Sequence, residues 1–431
     1  MDAKELNLDG LSLVRQLPEP PGLYIRSRRE DKAPLFELLA SGTTNMSGIV
    51  FDPTRAQQDK EVRDLVLKHY LDAVLDPKTQ QLATPFGFSD ALASLPWGGT
   101  KIQVVEDFIG QNAKRRTAAL VEFAVKHHFT AVIAPTHLIK DSSDPWLTVD
   151  VDAAKRLRDE LARRDAKIAI FYSLSLPYSV LRDPEEREAL IRALEDVPMD
   201  QLWIKVDGLG NNATHAGVTN YMEACRDFHS LGISILADHF GGYTGLALVA
   251  TGAVTGLCHG VTVAEQFDSA FWLKPRNGDI YSLRTRAYVS KLDLNLDVKI
   301  AKAVIERNAK NRALFACHDR TCCERGLTDM LEKPGKHFVY QRMQQIGSLG
   351  RVPFSVRTSE FVDNELRQLT EDLIKATGLD LGDAPLTKRL LAQRRRLDAL
   401  RVMLSKQLSK GTKRTAAPSL ATRRAREAGI R

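Results

Sequence analysis

The stretch FACHDRTCCERG, residues 315–326, places Cys317, Cys322 and Cys323 within seven positions, with His318 among them and His337 following. Two cysteines make up the rest of the chain's complement, so the clustering is specific to this segment. Thiolates and an imidazole are the ligands that Zn2+ prefers, and three sulfurs with one nitrogen close a tetrahedral structural site. The Cys-x4-Cys-Cys-x13-His spacing matches no common finger, and adjacent cysteines strain a shared ion, so His318 or Asp319 could replace one ligand. Small buried apolar cysteines and a redox pair are the alternatives. A structural zinc is the expectation, and no nucleotide-cofactor motif accompanies it.

A second group of reactive residues recurs where apolar runs end: Asp52, Asp76, His137, Ser173 preceded by Tyr172, Lys205 with Asp207, Asp238 with His239, and Cys258 with His259. Several carboxylates, imidazoles and a lysine around one opening would suit acid–base or nucleophilic chemistry. Asp76, Asp238 and His239 are the candidate catalytic groups. Asp52, His137, Tyr172, Lys205, Asp207 and His259 are candidates for substrate binding. Each has a plainer reading. Asp52-Pro53 and Asp76-Pro77 fit turn caps, and single histidines are often satisfied core residues. Lys205 lies between Ile204 and Val206 and points inward, where a lysine is costly unless paired. With Asp207 on the same side of a strand, it is either an interior ion pair or a substrate anchor. Gly241-Gly242 after Asp238-His239 would let backbone approach a ligand closely.

For these groups to meet, the elements must bring them together. Apolar runs at 23–28, 48–54, 71–79, 129–137, 167–175, 201–208, 233–240 and 254–260 are continuous rather than alternating, as strands buried on both faces should be. Helical patterns such as 152–165, 184–197 and 218–232 separate them. Strand–helix alternation implies a parallel sheet with right-handed crossovers, and eight strands predict an α/β (β/α)8 barrel of TIM type. An open nucleotide-binding sheet lacks its Gly-x-Gly-x-x-Gly and phosphate-loop motifs here. KIQVVEDF (101–108) competes with LYIRSR (23–28) for a place in the barrel. The predicted domains are the barrel with flanking helices over 1–312, a Cys/His segment over 313–357, and a helical basic extension with an unstructured end over 358–431. Within these, 261–315 reads as mostly helical, most clearly over 292–315, RVPFSV (351–356) as extended, and 359–377 as one amphipathic helix.

The charge is unevenly placed. Fourteen Lys or Arg face two acids between Thr387 and Arg431, while residues 1–386 hold 47 basic and 52 acidic residues. An acidic body with a basic appendage points to a polyanion partner. Arg394, Arg395, Arg396, Lys413, Arg414, Arg423 and Arg424 are the candidate nucleic-acid contacts. The leucine stripe Leu386, Leu390, Leu397, Leu400, Leu404, Leu408 equally fits a packing helix. No apolar run is long enough to span a bilayer, the start lacks the order of a secretory signal, and five cysteines form no disulfide framework. A cytoplasmic protein is expected.

A barrel followed by a Cys/Cys/Cys/His cluster resembles the tRNA-guanine transglycosylase superfamily, including its relatives that insert deazaguanine bases into DNA. The family's zinc site runs Cys-x-Cys-x2-Cys and then His; the order of ligand types is kept here and the spacing is not. VLDPKTQQL resembles the family's strand-end Asp followed by a polar loop and Gln, and TGLALVATG echoes its Gly-Leu-Ala strand. ADHFGG around Asp238 departs from the family's nucleophile motif. The resemblance implies a glycosyltransferase that exchanges guanine for a modified base in tRNA or DNA, with Asp76 recognising the base or moving its proton, Asp238 as nucleophile, and the basic tail on phosphates. Two other readings stand beside it: a small-molecule lyase or aldolase using Lys205, and a non-catalytic barrel scaffold in a nucleic-acid-associated complex. A protein partner or a second copy is compatible with all three.

Overall fold

The computed structural model describes residues 21–275, 285–410, 417–420 and 422–427. Eight parallel strands close into a barrel: β1 (Gly22–Arg26), β2 (Gly48–Phe51), β3 (Asp72–Leu75), β4 (Ala131–Ile133), β5 (Ala169–Leu176), β6 (Gln201–Val206), β7 (Ser234–Asp238) and β8 (Gly256–Gly260). β1 pairs with β8 to complete the circle, Tyr24 opposite Cys258. Burial on both faces explains the continuous apolar runs.

Alternate residues of these strands fill the barrel. Tyr24, Val50, Val74, Phe171, Trp203, Leu236 and Cys258 form one buried inner cluster, with Tyr24, Phe171 and Trp203 rings in mutual contact. Two residues further along on the same face come Arg26, Asp76, Lys205 and Asp238. The uppermost interior layer is therefore charged.

LYIRSR supplies β1, and KIQVVEDF is not a strand. β3 pairs directly with β4, which leaves no slot between them. Val105–Phe108 forms a short 3-10 turn, and Phe108 packs edge-on against His137 and Trp146 outside the sheet.

Two further expectations change beyond the barrel, and one open alternative is decided. Within 261–315, predicted as mostly helical and most clearly so from Leu292, stand two strands instead, β9 (Arg286–Val289) and β10 (Leu294–Asp297), paired antiparallel. The Leu-Asn-Leu-Asp alternation of β10 buries both leucines and half-exposes the polar residues. Helices Val298–Arg307 and Ala309–Phe315 follow. RVPFSV is not extended: Pro353 starts a helix, Phe354–Glu360, that runs through a π turn into Arg367–Thr377. The helix Ala384–Ser409 buries Leu386, Leu390, Leu397, Leu400 and Leu404, so its stripe packs within this chain. Among the described residues no helix is long and apolar enough to cross a membrane.

The chain end partly folds back under the barrel. Leu420 joins the inner aromatic cluster, and a Cβ on Gly22 would strike it. The buried Asp72 carboxylate accepts from Tyr24 Oη at 2.8 Å, from the Arg423 amide at 3.2 Å and from Arg426 Nη2 at 2.5 Å.

Candidate active site and metal centre

The charged layer is organised by Arg26, which the sequence reading did not single out. Its Nε and Nη2 donate to the two oxygens of Asp238 at 2.9 and 2.6 Å, and Nη1 donates to Asp76 Oδ2 at 2.6 Å. This is a bidentate fork with a third arm, the geometry that planar guanidinium favours. The signal was an arginine inside an otherwise apolar strand run. Lys78 sits in the left-handed region at φ 59°, and its turn brings its amide to Asp76 Oδ1 at 3.0 Å and its ammonium to Oδ2 at 3.2 Å. Burial alone would raise the Asp76 carboxyl, but Lys78, Arg26 and Lys205 outweigh it and hold it well below the usual range. Asp238 behaves likewise: burial is overcome chiefly by Arg26. Both are ionised, and Asp238 has no side-chain exposure.

Lys205 enters the same layer from β6. Its Nζ donates to Gln80 Oε1 at 2.5 Å and lies 4.7 Å from the Phe267 ring centre and 5.4 Å from that of Trp272. Gln80 in turn donates to Ser175 Oγ at 2.7 Å. Burial brings the Lys205 ammonium down to about 8, with Arg26 and Lys78 helping and the Asp238 and Asp76 carboxylates opposing. The expected pairing with Asp207 is not formed. β6 ends at Val206, so strand alternation stops before Asp207, which turns to accept the Ser269 amide at 2.6 Å.

A cavity of about 600 Å3 opens beside this layer, with Gln80, His137, Trp146, Ser175, Asp207 and Phe267 among its walls. His137 accompanies a buried partner that the sequence did not reveal: its Nδ1 lies 2.6 Å from Asp150 Oδ1, and its amide donates to Oδ2 at 2.7 Å. Asp150 stands on the helix Pro145–Arg163, thirteen residues on.

Other candidates are placed elsewhere. Asp52 accepts from the Thr54 amide and hydroxyl, the turn-cap role. Tyr172 and His259 have the opposite strand parity to the charged layer, so they face the surrounding helices. His259 meets Phe338 edge-on and its Nδ1 pairs with Gly260 O. His239 follows Asp238 at φ +57° against Phe267; burial, opposed by Asp238 and aided by Arg26 and Lys205, takes its imidazole down to about 3. It is neutral beside the ion network. Gly241 and Gly242 lie close against protein. A Cβ on Gly241 would strike Glu265, and Gly242, at φ +65°, would bring one within 2.9 Å of Asp293.

Cys317, Cys322, Cys323 and His337 do converge: one potential ligand atom from each lies within 4.8 Å of the others, close enough to hold a metal ion. Asp319 shapes the loop by accepting the Thr321 and Cys322 amides, and His318 is drawn off to Ala313 O. Neither belongs to the converged set. His337, on the helix Pro334–Arg351, has Nε2 2.8 Å from Tyr288 O. Donation there leaves the Nδ1 lone pair turned to the sulfurs, 3.1 Å from Cys322 and 3.4 Å from Cys323. The same helix sends Arg342 to Glu265 at 2.6 Å and to Asp293 at 3.1 Å. Those carboxylates accept the Gly242 and Tyr243 amides that follow Asp238. The cluster is thus tied to the barrel mouth through one buried arginine.

In the extension, Arg396 donates to Asn211 O at 2.5 Å, while Arg395 is exposed and Arg394 half-buried. Arg423 and Arg424 donate to Leu67 O and His69 O below the barrel. Lys413 and Arg414 lie outside the described residues.

No family model matches the chain, and no curated protein matches it. Solved barrels do. An intracellular xylanase from Thermoanaerobacterium saccharolyticum aligns at 10% identity and TM-score 0.36, over 60% of this chain and 90% of that one. A GH18 chitinase from Pseudoalteromonas aurantia aligns at 12% and 0.37, over 57% and 94%. A 3-dehydroquinate dehydratase from Enterococcus faecalis aligns at 12% and 0.33, over 57% and 91%. Likeness at this level concerns the barrel alone and leaves the chemistry to the residues described above.

Proposed function

We propose that this chain is a (β/α)8-barrel enzyme for a small carbonyl-bearing substrate, with Lys205 as the attacking amine. The observation behind this is Lys205 held in the charged layer at the barrel mouth, with Nζ on Gln80 Oε1 and over the Phe267 and Trp272 rings; burial there brings its ammonium down to about 8, which leaves an appreciable neutral fraction near neutrality. Gln80, its hydrogen-bond acceptor, also lines the cavity; turning that amide aside opens the amine to a ligand. The neutral amine adds to the carbonyl carbon. The oxygen leaves as water, taking one amine proton and one from solvent. The protonated imine then draws electrons from a neighbouring C–C or C–H bond, as in a lyase or aldolase. Asp76 and Asp238 supply the negative charge that balances it. The test is borohydride capture with pyruvate, dihydroxyacetone or glycolaldehyde, followed by peptide mapping. Lys205 should be reduced onto the substrate in preference to exposed lysines; labelling confined to exposed lysines refutes the reading.

The converged Cys/His cluster favours a second reading, base exchange of the transglycosylase type. Zn2+ is the metal proposed: tetrahedral Zn–S bonds of about 2.3 Å imply sulfurs roughly 3.8 Å apart, and Cys322 and Cys323 are 3.7 Å apart. Cys317, Cys322, Cys323 and His337 would hold it as a closed structural site. Against this reading, the candidate nucleophile Asp238 is gripped at both oxygens by Arg26. Incorporation of labelled guanine into tRNA or DNA, abolished by Asp76→Asn, would establish it in place of the first. Arg394 and Arg395 would then meet phosphates. Five unpaired cysteines support a reducing, cytoplasmic setting.

A further inference from the structure

His137 and Asp150 form a buried pair that the Lys205 chemistry does not use. Each is about 1% exposed. The carboxylate accepts from Nδ1, which leaves the lone pair on Nε2. That nitrogen is buried and has no hydrogen-bond partner among the described residues, although buried polar atoms are almost always satisfied. The ring is held on both sides that matter for aim: Trp146 stacks on it at 3.7 Å between centres and Phe108 meets it edge-on at 4.7 Å. His137 is also part of the cavity wall, whose lining includes Lys140, Asp144, Gln80 and Ser175. Burial, with the Asp144 charge adding to it, pushes the Asp150 carboxyl up against the lowering pull of His137, and Tyr172 also lies near the pair. Burial, then the Asp150 charge, push its phenol well above its usual range, so it stays neutral.

We propose that His137 is the proton acceptor of this cavity and Asp150 its positioning residue. The ligand is one that presents an acidic O–H to Nε2 and an apolar body to Trp146 and Phe267. On transfer the O–H bond breaks with its electron pair left on oxygen, an N–H bond forms at Nε2, and Asp150 neutralises the imidazolium. The inference rests on the cavity being the active site, and it gives the imine chemistry a base on the strand β4 side. His259 also has a buried Nε2 without a hydrogen-bond partner among the described residues, but it packs on Phe338 outside the barrel, whereas His137 lines the cavity.

The probe is 4-nitrophenol, a weakly acidic O–H whose ionised form absorbs separately. At a pH one unit below the free phenol's midpoint, wild-type protein should raise the phenolate band several-fold on binding. His137→Gln should bind the phenol without the band. Asp150→Asn should keep binding and lose most of the band, because its carboxamide cannot balance an imidazolium. Circular dichroism confirms that both variants fold. Wild-type protein that leaves the phenol unionised or does not take it up, or a His137→Gln protein with the full band, overturns the proposal. The two readings fail separately: borohydride capture reports on Lys205, and the phenolate band reports on His137.

Discussion

Replacing Arg26 with methionine is the sharpest test of the charged layer. The guanidinium makes three hydrogen bonds to two ionised carboxylates, and the Asp238 side chain is fully shielded from solvent. Hydrogen bonds to charged groups contribute about 1.5–3 kcal/mol each, but they are not additive within one network. Removing one partner of a buried pair costs about 3–5 kcal/mol, and that is the expected loss near pH 7.5. The pH dependence carries the stronger test. In the wild type both carboxyls are held below their unfolded value of about 3.9, so their contribution is present above that pH and lost as pH falls through the folded values. Without Arg26, burial dominates Asp238 and lifts its carboxyl above the unfolded value. Its contribution is then lost as pH rises. The deficit of Arg26→Met should therefore grow from pH 4.5 to pH 8, read by denaturant or thermal unfolding at each pH. Arg26→Met/Asp238→Asn should recover part of it. A deficit under about 0.5 kcal/mol, the size of an ordinary surface change, or one independent of pH, would refute the reasoning.

Other consequences follow from the same geometry. Acylation of Lys205, followed by mass mapping, should show a midpoint near pH 8, against about 10.4 for exposed lysines; an ordinary midpoint removes the amine from the mechanism. Elemental analysis should find about one metal ion per chain, the content of a closed four-ligand site, and Cys322→Ser should lower both metal content and melting temperature. Ending the chain at Asp383 should cause aggregation, because five leucines buried by the helix Ala384–Ser409 leave their partners exposed at about 1.5–3 kcal/mol per side chain. Arg394→Glu with Arg395→Glu avoids that damage, and should advance elution from heparin if this helix meets polyanions; unchanged elution removes that role.

The barrel was legible because strands buried on both faces must be apolar throughout, and helices between them keep their 3.6-residue pattern. The Cys/His cluster was legible for another reason: its ligand types are rare in this chain and lie close together in it. Arg26 was not, because a charged residue in a strand becomes meaningful only with its partners, which stand 50 and 212 positions away. Asp150 was hidden among the charges of an amphipathic helix, and only the crossing of that helix over β4 assigns it to His137. Periodicity within each segment thus determined the architecture and the set of reactive residue types. Strand parity at the mouth, and the approach of distant side chains, decided which of them meet: Arg26, Asp76, Lys205 and Asp238 inside, Tyr172 and His259 outside. Parity depends on where each strand starts and stops, which neighbours across the sheet settle and local sequence does not.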